Sequence, residues 1–201
     1  MSPQLLTSDP NVVTSAIDES IVWKNLLEGD RKALAHIYSR YFDKLYNYGI
    51  KISSETAIVE DSIQDLFIEL WNRREGLNKD VKNIKFYLYI CLRRKILLRL
   101  TKKNNSVEIS ELQSFDIHLS HKSHYLNNQM NTELKFRLVQ MVETLTPKQK
   151  EAIFLIYFDE LSYQEAADIM GLKIKTVYNL IHQAISRLKE RKSSFWNFIS
   201  F

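Results

Sequence analysis

The 201-residue chain is 45% hydrophobic and 26% charged, enough apolar material for packed cores and too much for a disordered polymer. Its single cysteine, Cys91, excludes a disulfide framework and a paired-cysteine metal site, and no stretch reaches the roughly 18 uninterrupted apolar residues of a membrane helix. A formal net charge of +4 and a pI near 9.0 suit a polyanionic partner.

The chain opens on MSPQLLTSDPNVVTS, which lacks a basic start followed by an apolar run, so no export signal is expected and the cytoplasm is the expected compartment. Only four glycines and three prolines interrupt a sequence in which Leu, Ile, Lys, Glu and Gln recur at spacings of three and four. That periodicity predicts an all-α fold. A first helix begins near Asp18 (DESIVWKNLLEG), and Gly29 followed by Asp30 reads as a helix-ending glycine and then an N-cap. RKALAHIYSRYFDKLYNYGIKI continues as a second helix. A third, about Thr56 to Arg73, aligns Val59, Ile63, Leu66, Phe67, Leu70 and Trp71 on one stripe, with Asp61, Gln64, Asp65, Ile68 and Glu69 around it. After the polar loop REGLNKDVKN, a fourth helix covers about Asn83 to Lys102.

From about Lys103 to Asn128 the chain is rich in Asn, Ser and His without a sustained period, which predicts a flexible linker. Helical pattern resumes at Asn131 with Leu134, Leu138, Met141, Val142 and Leu145 on one face. Thr146, Pro147 and Gln149 then combine an N-cap, a first-turn proline and a capping-box partner, and Ser162 with Glu165 repeats the capping box. The expected organisation is a tail (1–17), a helical domain (18–103), a linker (104–129), a second helical domain (130–192) and an apolar tail, SSFWNFISF (193–201).

Charge follows this plan. Residues 52–72 hold five acids and no Lys or Arg, residues 81–107 hold eight Lys or Arg and no acid, and residues 171–192 hold six against one. Two basic elements and one acidic one predict two nucleic-acid contacts and a separate protein partner.

The second basic element explains the tight glycine turn in LSYQEAADIMGLKIKTVYNLIHQAISRLKE. A helix from Ser162 to Met170, a turn at Gly171 and Leu172, and a helix from about Ile174 to Glu190 make helix-turn-helix grammar. Ala166 and Ala167 permit close helix approach, while Leu172, Val177, Leu180 and Ile181 pack the second helix onto the first. Lys173, Lys175, Thr176, Tyr178, Asn179, His182, Gln183 and Arg187 remain outward, able to reach phosphates and base edges in a major groove. A helical hairpin with a solvated basic face is the plain alternative.

Asp61, Asp65 and Glu69 lie on one helical face, where they could suggest a divalent metal site, but such sites gather carboxylates from several elements, so a solvated or partner-facing stripe is expected. His118, His121 and His124 sit in a polar linker without supporting ligands. No metal and no cofactor are expected. In NIKFYLYICLRRKILLRLTKK, Phe86, Tyr87 and Tyr89 precede Arg93, Arg94, Lys95 and Arg99, a mixture suited to single-stranded DNA, although Phe86, Leu88, Cys91 and Leu92 also suit a core.

Together, VEDSIQDLFIELW (59–71) and LTPKQKEAIFLIYFDELSYQEAADIMGLKIKTVYNLIHQAISRLKE (145–190) resemble the extracytoplasmic-function (ECF) sigma factors of the sigma-70 family. The resemblance covers about residues 18–192. It implies a dissociable, non-enzymatic promoter-recognition subunit of bacterial RNA polymerase, with residues 18–103 as sigma region 2 and 130–192 as region 4. Asp61, Gln64, Asp65, Ile68 and Glu69 would face the polymerase clamp, and the second domain would also meet the polymerase flap. Asn78, Lys79, Asn83, Lys85, Tyr89, Arg93, Arg94 and Lys95 would bind the −10 element and hold a flipped base, unpairing being offset by stacking without ATP hydrolysis. The linker would thread toward the polymerase active-site cleft, and the helix-turn-helix would read the −35 element. The implied partners are core RNA polymerase, promoter DNA and an anti-sigma factor, membrane-bound or not, with no small-molecule substrate. Arg94, Leu98, Lys173 and Gln183 depart from residues frequent in the family and bear on −10 and −35 preference. The alternative is a duplex-binding helix-turn-helix regulator, which would need a different front half, because residues 18–102 lack the alternating strands of a receiver domain. A recombinase would need a nucleophilic Ser or Tyr among several arginines, and none is evident.

Overall fold

The computed structural model describes residues 18–81, 83–104, 115–116, 140 and 142–199. Helix α1 (Glu19–Leu27) starts where the Asp18 carboxylate accepts from Ser20 N at 2.9 Å. Helix α2 (Arg31–Ile52) starts in the same way, with Asp30 accepting from Lys32 N at 2.8 Å, after Gly29 has turned the chain at φ +90°. Helix α3 spans Thr56–Asn72, a short 3-10 turn covers Arg74–Gly76, and helix α4 spans Ile84–Asn104. The predicted order and near-boundaries of these elements hold.

Buried residues recur every three or four positions: Ala33, Ile37, Tyr41, Leu45, Tyr48 and Ile52 on α2, and Val59, Ile63, Leu66, Phe67 and Leu70 on α3. Trp71, expected on the same stripe, is only partly buried and lies under the Arg74 guanidinium at 4.4 Å. Helix α2 passes close to its neighbours at Gly49, where a Cβ would lie 2.5 Å from Val59 Cγ1 and 3.3 Å from Ile96 Cδ1. Trp23 closes the bundle by donating its indole N–H to the Asn78 carbonyl at 2.9 Å. That bond fixes the loop leading into α4.

Further along, the described residues include helices α5 (Pro147–Ile153), α6 (Tyr163–Met170) and α7 (Ile174–Ile199). Both predicted capping boxes are present, Thr146 with Gln149 and Ser162 with Glu165. Between α5 and α6 the chain winds one π turn over Phe154–Phe158, with Asp159 N bonded to the Phe154 carbonyl at 3.1 Å, and leaves it through Glu160 in the left-handed region at φ +54°. Helix α7 runs through Ile199, so its backbone continues across the residues expected to form a separate tail.

The two groups of helices share one core. Tyr48 of α2 stacks on Tyr89 of α4 at 4.8 Å and on Phe154 at 6.1 Å. Phe115, from the expected linker, is 2% exposed against Tyr48 and Phe154, and Asp116 N bonds to the Lys51 carbonyl at 2.9 Å. Burying one such phenyl ring contributes about 1.5–3 kcal/mol. The rest of the linker, with His118, His121 and His124, and the helical pattern at Leu134, Leu138 and Met141 lie outside the described residues. No helix among the described residues is long and apolar enough to cross a membrane.

Candidate nucleic-acid interface

The C-terminal hairpin is built by local rules. Gly171 ends α6 at φ +66°, its N–H bonds to Asp168 at 3.2 Å, and Leu172 N–H reaches back to Ala167 at 2.9 Å, which together form a Schellman closure. Ala166, Ala167 and Val177 are fully buried and Ile181 nearly so, as the spacing predicts, while Leu172 and Leu180 are partly buried. All eight side chains predicted to face outward are exposed: Lys173, Lys175, Thr176, Tyr178, Asn179, His182, Gln183 and Arg187. Tyr178 stacks on Tyr163 at 4.2 Å, which orients its ring while leaving half of it accessible. Gln149 tethers α7 from the side, bonding Arg187 at 3.0 Å and Gln183 at 3.4 Å. The start of α7 therefore presents cations and amides on one braced face, a surface suited to phosphates and base edges.

The N-terminal set divides. Asn78, Lys79 and Arg94 are exposed. Lys95 is half-buried and bonds Glu69 at 2.6 Å. Asn83 caps α4 by accepting from Phe86 N at 3.0 Å and donates its amide to Glu165 at 2.6 Å. The Lys85 ammonium donates to the Asp159 carbonyl, and its burial pulls its pKa below the ordinary lysine value. Two further side chains of this set are covered. Tyr89 is fully buried against Tyr48, so it belongs to the core and burial raises its phenol pKa. Arg93 is 8% exposed and clamped by Glu151, from Nε at 2.8 Å and Nη2 at 3.3 Å. Burial opposes its charge, and the Glu151 carboxylate more than reverses that effect, so the guanidinium stays protonated. The Tyr48 hydroxyl donates to the same carboxylate at 2.7 Å, which completes a buried triad.

The acidic stripe on α3 is not free of cations. Asp61 lies 3.6 Å from Arg99, Asp65 bonds the same guanidinium, and Glu69 bonds both Lys95 and, at 2.8 Å, Arg73. The Lys95 ammonium is the main cause holding the Glu69 carboxyl below its usual range. Gln64 and Ile68 flank this stripe on α3 and border an open apolar groove of about 720 Å³ shared with Leu34, Tyr38, Phe42 and Phe67. Ile68 and Tyr38 are 51% and 44% exposed there. The α2 wall of this groove escaped sequence reasoning; its one signal was Tyr38 and Phe42 falling one turn apart beside the core stripe. Glu151, Asp159 and Phe115 were missed as well, since each acts across a sequence gap that carries no periodic signal.

Two family profiles match the chain and together cover more than half of it: Sigma-70 region 2 over residues 37–106 and Sigma-70, region 4 over residues 135–188. Among curated relatives, the ECF RNA polymerase sigma factor SigK of Mycolicibacterium vanbaalenii is 21% identical over 180 residues, covering 89% of this chain and 90% of the relative. The RNA polymerase sigma factor YlaC of Bacillus subtilis is 24% identical, covering 80% and 92%. Among solved structures, the sigma factor RpoE with the anti-sigma factor NepR, from Bartonella quintana, superposes with a TM-score of 0.57 at 25% identity, covering 79% of this chain and 96% of that one. CnrH, in complex with the cytosolic domain of CnrY, shares the fold with a TM-score of 0.57 at 18% identity, covering 88% and 98%. A front bundle matched as region 2 and a basic helix-turn-helix matched as region 4, in that order along one chain, make this protein a member of the sigma-70 family, in its ECF group.

Proposed function

We propose that the chain is the promoter-recognition subunit of a bacterial RNA polymerase. Residues 18–103 act as region 2 and residues 130–192 as region 4, working in the cytoplasm and contributing recognition rather than bond-making chemistry. The observation that carries this reading is the start of α7, where eight polar or basic side chains are exposed on a helix braced by Gly171, Gln149 and Tyr163. That face reads the −35 element in the major groove. The other end of the polymerase contact is α3, where Ile68 and Gln64 offer apolar and amide contacts beside Asp61, Asp65 and Glu69, a composition suited to the basic clamp helix of core polymerase. Asn78, Lys79, Arg94 and, once uncovered, Asn83, Lys85 and Arg93 bind the −10 strand. An anti-sigma factor is a further expected partner, given the complexes in which related sigma factors have been solved.

The test mixes the purified protein with sigma-free core polymerase and a pool of genomic fragments, and sequences the transcripts that start. Discrete start sites sharing two spaced upstream elements are expected. Duplex binding by the protein alone, without transcripts, would instead establish a regulator and overturn the reading of α3.

A further inference from the structure

We infer that Trp23 of α1 is a positioning residue for −10 recognition: its indole N–H holds the loop carrying Asn78 and Lys79 in the shape that meets the unpaired strand. The inference rests on the −10 assignment above and extends it to a helix outside the expected contact set. Trp23 is 1% exposed, so it acts through the loop and not on a nucleotide. Its indole donates to the Asn78 carbonyl at 2.9 Å, across 55 residues of chain. The same ring meets Tyr87 of α4 edge-on, with centroids 5.3 Å apart and planes at 65°. One side chain therefore braces both the loop and the helix that follows it. Asn78, Asp80, Asn83 and Tyr87 all line one open cleft of about 400 Å³, whose shape depends on that brace.

The loop has little else to hold it. Among the described residues, the other hydrogen bond at positions 78–81 is internal, from Asp80 N to the Asn78 side-chain oxygen at 2.9 Å. It bends the chain into an Asx turn with the exposed Lys79 at its tip. The Trp23 bond ties this turn to the bundle. The donor is itself fixed from α2: Glu19, one turn earlier on α1, pairs with Arg40 at 3.1 Å and accepts from the Tyr41 hydroxyl, while Leu26 is fully buried. Helix α2 thus sets α1, α1 sets Trp23, and Trp23 sets the loop. A loop ordered before the strand arrives gives up no conformational freedom at that step, so the contacts of Asn78 and Lys79 appear in full as affinity. Without the indole N–H the Asn78 carbonyl turns to water, and the ordering of the turn is deferred to strand binding.

The test uses two replacements at one position of the full-length chain, each assembled with core polymerase. Trp23→Phe removes the N–H and part of the ring. Replacing Trp23 with β-(3-benzothienyl)alanine, by nonsense suppression, keeps the outline of the indole and puts sulfur where the N–H was. Val22→Ala, a buried position of the same helix, is the control that loosens α1 while leaving the indole bond in place. On a promoter recovered by the start-site mapping, nuclease footprinting of the −35 half reports occupancy, and permanganate reactivity of unpaired thymines reports opening. Both Trp23 replacements should leave occupancy unchanged and lower the ratio of opened to occupied promoter about threefold to tenfold, the worth of one part-buried hydrogen bond. Holoenzyme affinity for a single-stranded oligonucleotide bearing the mapped −10 element should fall by the same factor. Val22→Ala should keep the parental ratio. A parental ratio in the benzothienyl variant, or a ratio lowered equally in Val22→Ala, overturns the positioning role while the −10 assignment stands. If the parent holoenzyme starts no transcripts, the −10 assignment itself fails and the positioning role fails with it.

Discussion

Replacing Gly49 by alanine tests the geometry that holds α2 against the two helices carrying the N-terminal contacts. The new Cβ would sit 2.5 Å from Val59 Cγ1 and 3.3 Å from Ile96 Cδ1. Carbon atoms in a packed core rest about 3.5–4.0 Å apart, so the Val59 methyl must move by about 1 Å. A valine in a helix is confined to one rotamer in about 90% of cases, and Val59 is fully buried, so the backbone of α3 has to give. Overpacking of this kind costs about 1–3 kcal/mol, of which the better helix propensity of alanine returns about 1 kcal/mol. With so stiff a neighbour the net loss should be about 1–2 kcal/mol, read by urea unfolding, and Tm should fall by about 2–4 °C per kcal/mol for a chain of this size. Gly76→Ala, with nothing within 4 Å of its Cβ, serves as the neutral control. The double variant Gly49→Ala with Val59→Ala should lose less than the sum of the single losses by about 1 kcal/mol, because each change makes room for the other. Unchanged stability of Gly49→Ala, or strict additivity in the pair, would refute the close-approach argument.

Replacing Lys175, Asn179 and Gln183 together by alanine should weaken binding to −35-containing duplex at least about tenfold while core-polymerase binding holds, because all three side chains are exposed. Pull-down and filter binding separate the two effects, and loss of polymerase binding would mean that the side chains are structural. The Cys91 thiol, pushed up by burial, should be alkylated by iodoacetamide more slowly at pH 8 than free cysteine and at the free rate in urea; equal rates in both would contradict its placement. Glu69 has a folded-state pKa depressed below 4.5, so its contribution to stability is present above the unfolded value and is lost as pH falls through the lowered folded value. Lys95→Gln should therefore flatten the acid limb of the stability curve below about pH 4.5. A limb unchanged in that variant would show that Lys95 is not the cause.

What was legible in the sequence was what local chemistry decides. Asp18, Asp30, Thr146 and Ser162 announce their helices because a cap bonds within three residues of itself. The exposed face of α7 follows from its period and from Ala166, Ala167 and Gly171. The covering of Arg93 and Tyr89 was not legible for the opposite reason. A basic, aromatic helix reads as outward-facing until something covers it, and the covering groups are distant in the chain: Glu151 lies 58 residues beyond Arg93, and Tyr48, stacked on Tyr89, belongs to α2. Phe115 stood in a polar segment with no period, and nothing nearby distinguished it from its neighbours. The acidic stripe was visible, whereas its pairing with Arg99 and Lys95 depended on how α3 and α4 cross.

Helix α7 is one uninterrupted rod of 26 residues, about 39 Å long, whose N-terminal half carries most of the proposed base-reading side chains. A rod has no hinge to absorb rotation. Tilting it by about 10° about its first turn moves the end near Ile199 by about 7 Å. Whatever grips that far end, be it a fused tag or a surface, acts as the hand on a lever and sets the angle at which Lys175 and Asn179 enter a groove. The far end of the chain thereby becomes a mechanical input to sequence reading, although it lies many base pairs away from the bases being read.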